Sequence, residues 1–104
     1  MIDKALVIGG GIGGLAAAIA LRNSGIDVDL VEIKRDFKVY HVGIMLQGNC
    51  LRAIQALGVL DETIKAGFPQ AGLTFQDLRG NVLADIPGTK LLGDGYPSDL
   101  AIVR

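Results

Sequence analysis

The sequence predicts an α/β fold built on a parallel βαβ unit, and three observations carry that prediction. An aliphatic run closes on glycines, an alanine- and leucine-rich stretch follows it, and a second run rich in valine and leucine comes next, all within residues 4–32. Lys4 to Ile8 is apolar without alternation, as a strand buried on both faces of a parallel sheet reads. Ile12 to Asn23 mixes alanine, leucine and isoleucine, which suits a closely packed helix, and Gly25 stands where a helix C-terminal glycine belongs. Val28 to Glu32, bounded by Gly25 and charged residues, completes a unit of about 30 residues.

Residues 33–67 are expected to form a crossover loop and two helices. Lys34, Arg35, Asp36 and Lys38 make a charged loop, and Val39 to Leu46 reads as extended or irregular. Asn49 to Leu57 places Leu51, Ile54 and Leu57 on one helical face, with Asn49 as N-cap and Gly58 as stop. Asp61 to Gly67 repeats that pattern in miniature, acidic at its start and glycine at its end. Alternation over Leu73–Asp77 and Val82–Ile86, separated by the turn residues Leu78 to Asn81, predicts an antiparallel hairpin over 73–86. Pro87 to Pro97 is glycine- and proline-rich and reads as a loop, and a further strand starts over 100–104. Two parallel strands do not make a stable doubly wound sheet, and a mean hydropathy of +0.44 is high for 104 residues. The chain is therefore expected to be incomplete by itself, its open face covered by more of the same protein or by a second chain.

Half of the residues are hydrophobic and a fifth are charged, which excludes a disordered chain. A formal net charge of −1 gives no electrostatic footprint for nucleic acid or an anionic membrane. The apolar stretch from Ile12 meets Arg22 too soon to span a bilayer, and the N-terminus lacks the pattern of a signal peptide. A lone cysteine, Cys50, fits a reducing compartment, so a cytoplasmic protein without nucleic-acid or membrane partners is expected.

The chemistry resides in Gly9-Gly10-Gly11-Ile12-Gly13-Gly14, a G-x-G-x-x-G run directly after a predicted strand and at the start of a predicted helix. Gly9 permits the tight turn, Gly11 lets the backbone approach a diphosphate, and Gly14 lets the helix pack close to the strand. First-turn amides and the positive end of the helix dipole then hold the diphosphate without a cationic side chain. Glu32 ends the second strand, where a carboxylate accepts hydrogen bonds from an adenosine ribose and repels a 2′-phosphate. That chemistry suits FAD or NAD and disfavours NADP at this position. The alternative readings, a flexible glycine linker and a solvated strand-end glutamate, supply neither the strand-turn-helix context nor the spacing.

The string from Ala5 to Leu21, the pair Val31-Glu32, then Gly43-Ile44 and Asn49-x-x-Arg52 with Leu57-Gly58 resembles the class A flavoprotein monooxygenases, the family of salicylate and para-hydroxybenzoate hydroxylases. The resemblance implies a Rossmann-like FAD-binding βαβ unit with an inserted antiparallel hairpin, the chain being the N-terminal portion of an FAD-binding domain. It also implies an enzyme that hydroxylates a small aromatic substrate with O2 and NADH or NADPH. Carried over by position, it assigns cofactor contacts to Gly9, Gly11, Ile12, Gly13, Gly14, Glu32, Gly43, Ile44 and Arg104. His41 stands where members often carry an arginine, and its charge near neutral pH is partial. Arg52 reads as helix surface and Cys50 as helix packing. No Ser/His/Asp pattern, metal-ligand spacing or carboxylate pair occurs, so no catalytic side chain is expected and the chemistry is the cofactor's. The rival readings are another FAD-dependent oxidoreductase and a catalytically inactive cofactor-binding fragment.

Overall fold

The computed structural model describes residues 1–36 and 43–103 and divides into two compact units, Met1–Tyr40 and His41–Arg104. In the first unit β1 (Lys4–Ile8) leads through a glycine turn into α1 (Ile12–Asn23) and then β2 (Asp27–Val31). The two strands pair in parallel, Lys4 with Asp27 through Ile8 with Val31. Ala5, Val7, Val28 and Leu30 are half-buried on the face that α1 covers, whereas Leu6, Ile8 and Val31 on the opposite face are exposed. One helix on a two-stranded sheet covers one side only, which is the physical source of the high hydropathy. At the helix C-terminus Gly25 takes φ +81° and the Ile26 amide donates back to the Leu21 carbonyl at 3.1 Å, so the chain reverses where a glycine was expected. β2 starts and ends one residue earlier than predicted, because the ladder begins with Asp27 donating to the Asp3 carbonyl and runs out with Ile8.

The second unit runs β3 (Ile44–Leu46), α2 (Gly48–Leu57), α3 (Leu60–Ala66), β4 (Phe68–Gln70), β5 (Gly72–Gln76), β6 (Val82–Pro87) and β7 (Asp99–Ile102). β7 is the centre of an antiparallel sheet ordered β3-β7-β4, with Ile44 opposite Ile102 and Phe68 opposite Ala101. Leu51 of α2, Leu60 of α3 and Leu100 of β7 are buried, and Leu46, Ile54, Ile64, Leu92, Tyr96 and Ile102 pack around them. Of the predicted apolar face of α2, Leu51 and Ile54 build the core, whereas Leu57 is half-buried beside it.

The expected hairpin forms, β5 one residue earlier than read and β6 one residue longer, with Leu73 opposite Ile86 and Phe75 opposite Ala84. Its turn is held by Asp77, whose carboxylate accepts from the Arg79 and Asn81 amides at 2.8 and 2.9 Å and from the Asn81 side chain at 2.8 Å, while Gly80 takes φ +86°. These donors, the Asn81 side chain first, hold the Asp77 carboxyl below the usual aspartate range.

Several expectations need correction. The second helix begins at Gly48 with Gln47 as N-cap and no side-chain capping bond; the Asn49 side chain instead accepts from the Cys50 amide at 2.9 Å. Gly48 is buried, and a Cβ there would lie 3.1 Å from Leu91 and from the Thr89 carbonyl oxygen, so the helix start is fixed by close packing, not by a cap. Ile44–Leu46, read only as extended or irregular, is a strand, and Phe68–Gln70 is a strand that no local pattern announced. The last strand spans Asp99–Ile102 where 100–104 was expected; Arg104 and residues 39–42 lie outside the described residues.

Candidate functional site

The turn between β1 and α1 is assembled from glycines that meet three different demands. Gly9 has φ +108°, a backbone conformation that side chains rarely adopt, and its amide donates to the Val31 carbonyl at 2.8 Å. Gly14 lies where α1 crosses β1: a Cβ there would overlap the Gly9 carbonyl oxygen and sit 3.4 Å from a Val7 methyl. Gly11 and Gly13 are the opposite case, since a Cβ at either would meet nothing within 4 Å. Gly11 is the N-cap of α1 with φ −73°, an ordinary value, so neither strain nor internal packing asks for glycine there. What remains is the space outside, which an approaching group would occupy.

The first-turn amides of Ile12, Gly13 and Gly14 have no intrahelical acceptor, as at every helix start, and no acidic side chain stands in that turn to claim them. Such amides, with the positive end of the helix dipole behind them, can hold an anion. Ile12 is 72 % exposed. At the edge of this turn, just past the last residue of β2, stands Glu32. One carboxylate oxygen accepts from the Gly10 amide at 2.7 Å and the other from the Lys34 amide at 3.0 Å. The Lys34 amide, then that of Gly10, holds the carboxyl below the usual glutamate range, so it is ionised at neutral pH.

Gly9, Gly11, Ile12, Gly13, Gly14 and Glu32 are therefore brought together within the first unit. Gly43 and Ile44 belong to the second, at the start of β3, where Ile44 pairs with Ile102 and a Cβ on Gly43 would make only ordinary contact with Ile102 and Val103. His41 and Arg104 lie outside the described residues. Arg52 is exposed on α2, and Cys50 is a half-buried free thiol. Gly10, a position the sequence reading passed over, is buried and bonded to Glu32; the clue was an acidic residue at the end of the strand neighbouring the turn. Among the described residues no cluster of His, Cys, Asp and Glu could hold a metal, and no helix is long and apolar enough to cross a membrane.

A glycine turn between a strand and a helix, with a carboxylate at the end of the neighbouring parallel strand, defines a partial Rossmann-like dinucleotide-binding unit. Residues 3–91 match the FAD binding domain family, and the chain belongs to it. Among curated relatives, the FAD-dependent urate hydroxylase of Klebsiella oxytoca is 41% identical over 77% of this chain and 21% of its own length. The 2-heptyl-3-hydroxy-4(1H)-quinolone synthase of Pseudomonas aeruginosa is 34% identical over 95% of the chain and 25% of its own length. The chain thus spans about a quarter of the relatives it matches. Klebsiella pneumoniae HpxO, solved with FAD and uric acid, superposes with a TM-score of 0.77 at 31% identity, covering 97% of this chain and 25% of that one. The 2-methyl-3-hydroxypyridine-5-carboxylic acid oxygenase superposes at 0.76 with 28% identity, over 100% of this chain and 26% of that one.

Proposed function

We propose that the chain binds FAD through the Gly9–Gly14 turn and Glu32, as the cofactor-binding part of a cytoplasmic flavin-dependent monooxygenase that hydroxylates a small aromatic or heterocyclic substrate with O2 and NADH or NADPH. The observation that carries the reading is the set of first-turn amides at the start of α1, with open space over Gly11 and Gly13 and an ionised carboxylate beside them. The diphosphate lies on the first-turn amides, which neutralise it without a cationic side chain. Glu32 accepts from the ribose hydroxyls of the adenosine half, and its charge disfavours a 2′-phosphate. Gly43, Ile44, His41 and Arg104 are assigned to the rest of the cofactor by family position. FAD, when bound, would supply the redox chemistry, with NADH or NADPH as the reductant and O2 as the oxidant, one oxygen atom entering the substrate and the other leaving as water. The relatives named as urate hydroxylase and quinolone synthase support a nitrogen heterocycle as the substrate class. No side chain described here is required as acid or base, so the chain's share is binding and orientation.

Titration of the full chain with FAD, read by quenching of flavin fluorescence, tests this, with NAD and NADP as competitors. FAD released intact by denaturation is the expected result. A chain that binds NAD but never flavin refutes the cofactor assignment. Oxidation of NADH or NADPH stimulated by hydroxylated aromatics or heterocycles, with one oxygen atom gained by the product, tests the activity.

A further inference from the structure

We infer that Glu32 is a positioning residue as well as a ligand contact: it holds the glycine turn in its binding shape before any dinucleotide arrives. This rests on the FAD reading of the same site and adds a role that the ribose does not explain. Gly10 is buried, and its amide donates to a Glu32 oxygen 2.7 Å away across 22 residues of sequence. The neighbouring amide, that of Gly9, donates to the Val31 carbonyl at 2.8 Å. Two successive amides of the turn are therefore tied to the end of β2, one through backbone and one through a side chain. The Lys34 amide, 3.0 Å from the second oxygen, fixes the rotation of the carboxylate so that the first oxygen points at Gly10.

The chemistry needs a carboxylate in particular. An ionised carboxylate offers about four acceptor positions on two oxygens, so it takes both backbone amides and keeps capacity for ribose hydroxyls. A glutamine at the same place has a single acceptor oxygen and would turn an NH2 group toward one of the two amides. The tie to Gly10 and the contact with ribose are thus separable in principle, and they act on different rates. Lost ligand contacts raise the dissociation rate, whereas a turn that must be ordered during encounter lowers the association rate.

The experiment compares the full chain with its Glu32→Gln and Glu32→Ala variants, first with no ligand present. Exchange of the Gly10 amide, followed by NMR, is expected to accelerate by about tenfold in Glu32→Ala and by less in Glu32→Gln, whose one acceptor oxygen can still face Gly10, while the amides of Val7 and Ala18 keep their protection and report an intact βαβ unit. The Gly10 proton should also lose the downfield position that a charged acceptor gives it, and the Gly9 proton should not move. Should Glu32→Ala fail to fold, the Gly10 proton shift in Glu32→Gln decides, since that variant removes the charge whichever way its amide turns, and an unmoved shift overturns the proposal. Stopped-flow mixing with FAD then reads the second half: an association rate at least about fivefold lower in Glu32→Gln supports the proposal. Unchanged Gly10 exchange in Glu32→Ala overturns it, as does a change confined to FAD dissociation. If wild type ignores FAD while Gly10 still depends on Glu32, the cofactor reading fails and the positioning of the turn stands.

Discussion

Replacing Gly14 with alanine isolates the close approach of α1 to β1. The added methyl would overlap the Gly9 carbonyl oxygen, lie 3.0 Å from its carbonyl carbon and 3.4 Å from Val7 Cγ1. The obstacle is backbone, held by the Gly9 amide's 2.8 Å bond to Val31 at a φ of +108°, so no flexible side chain can swing aside and α1 must lift from the strand. Overpacking of this kind costs about 3 kcal/mol, the upper part of its usual range. Removing a glycine from a helix returns about 1 kcal/mol. A net loss of about 2 kcal/mol should lower the melting temperature by about 8 to 16 °C for a chain of this length. Gly13→Ala is the internal control, since it gains the same helix propensity and its Cβ meets nothing within 4 Å. Thermal unfolding of both variants without ligand, followed by circular dichroism, is the assay. If Gly14→Ala melts within about 2 °C of Gly13→Ala, close helix-strand packing is not what this glycine serves.

Gly11→Val should abolish FAD binding and leave the fold intact, because Gly11 has an ordinary φ and open space around it; flavin content against circular dichroism separates the two, and full FAD occupancy would refute the diphosphate placement. Leu51→Ala, at a fully buried position, should cost about 2 to 5 kcal/mol in urea unfolding, and a loss under about 1 kcal/mol would mean that Leu51 is not central to this core. Asp77 carries a folded-state pKa below its unfolded value, so its contribution is fully present above the ordinary aspartate range and is lost as pH falls through the lowered value. Asp77→Asn should accordingly be less stable than wild type at neutral pH and converge with it in acid; a difference constant down to acid pH would contradict the turn's charge dependence.

Local chemistry made the first unit legible. β1 and α1 fall at their predicted residues because glycines close β1 and flank α1, and Gly25 stops the helix by the left-handed conformation that its type allows. The glycine turn and Glu32 could be read for the same reason: each needs a residue type fixed by its immediate neighbours. β3 and β4 could not be. Each is three residues long, β4 contains Pro69, and both exist as strands because β7 lies between them. Such pairing is decided by residues far off in sequence, which propensity does not see. The Asn49 cap failed on a similar ground, since the start of α2 is set by Leu91 and Thr89 packing on Gly48. The bond from Gly10 to Glu32 also joins distant positions; the carboxylate was expected to face a ligand, and its hold on the turn became visible only with the fold.

The order β3-β7-β4 has a consequence for how the chain is made. The central strand is synthesised after both of its neighbours, so neither Ile44–Leu46 nor Phe68–Gln70 has a partner while the ribosome is still translating the hairpin and the loop beyond it. At about 5 to 20 residues per second, the interval between β4 and β7 lasts on the order of 2 to 6 s. The β5-β6 hairpin closes in about 1 to 10 μs once its turn has emerged. Two apolar strand edges thus wait seconds beside a ribbon that finished folding almost at once, and those seconds are when a nascent chain is most open to wrong strand pairing and to capture by a chaperone.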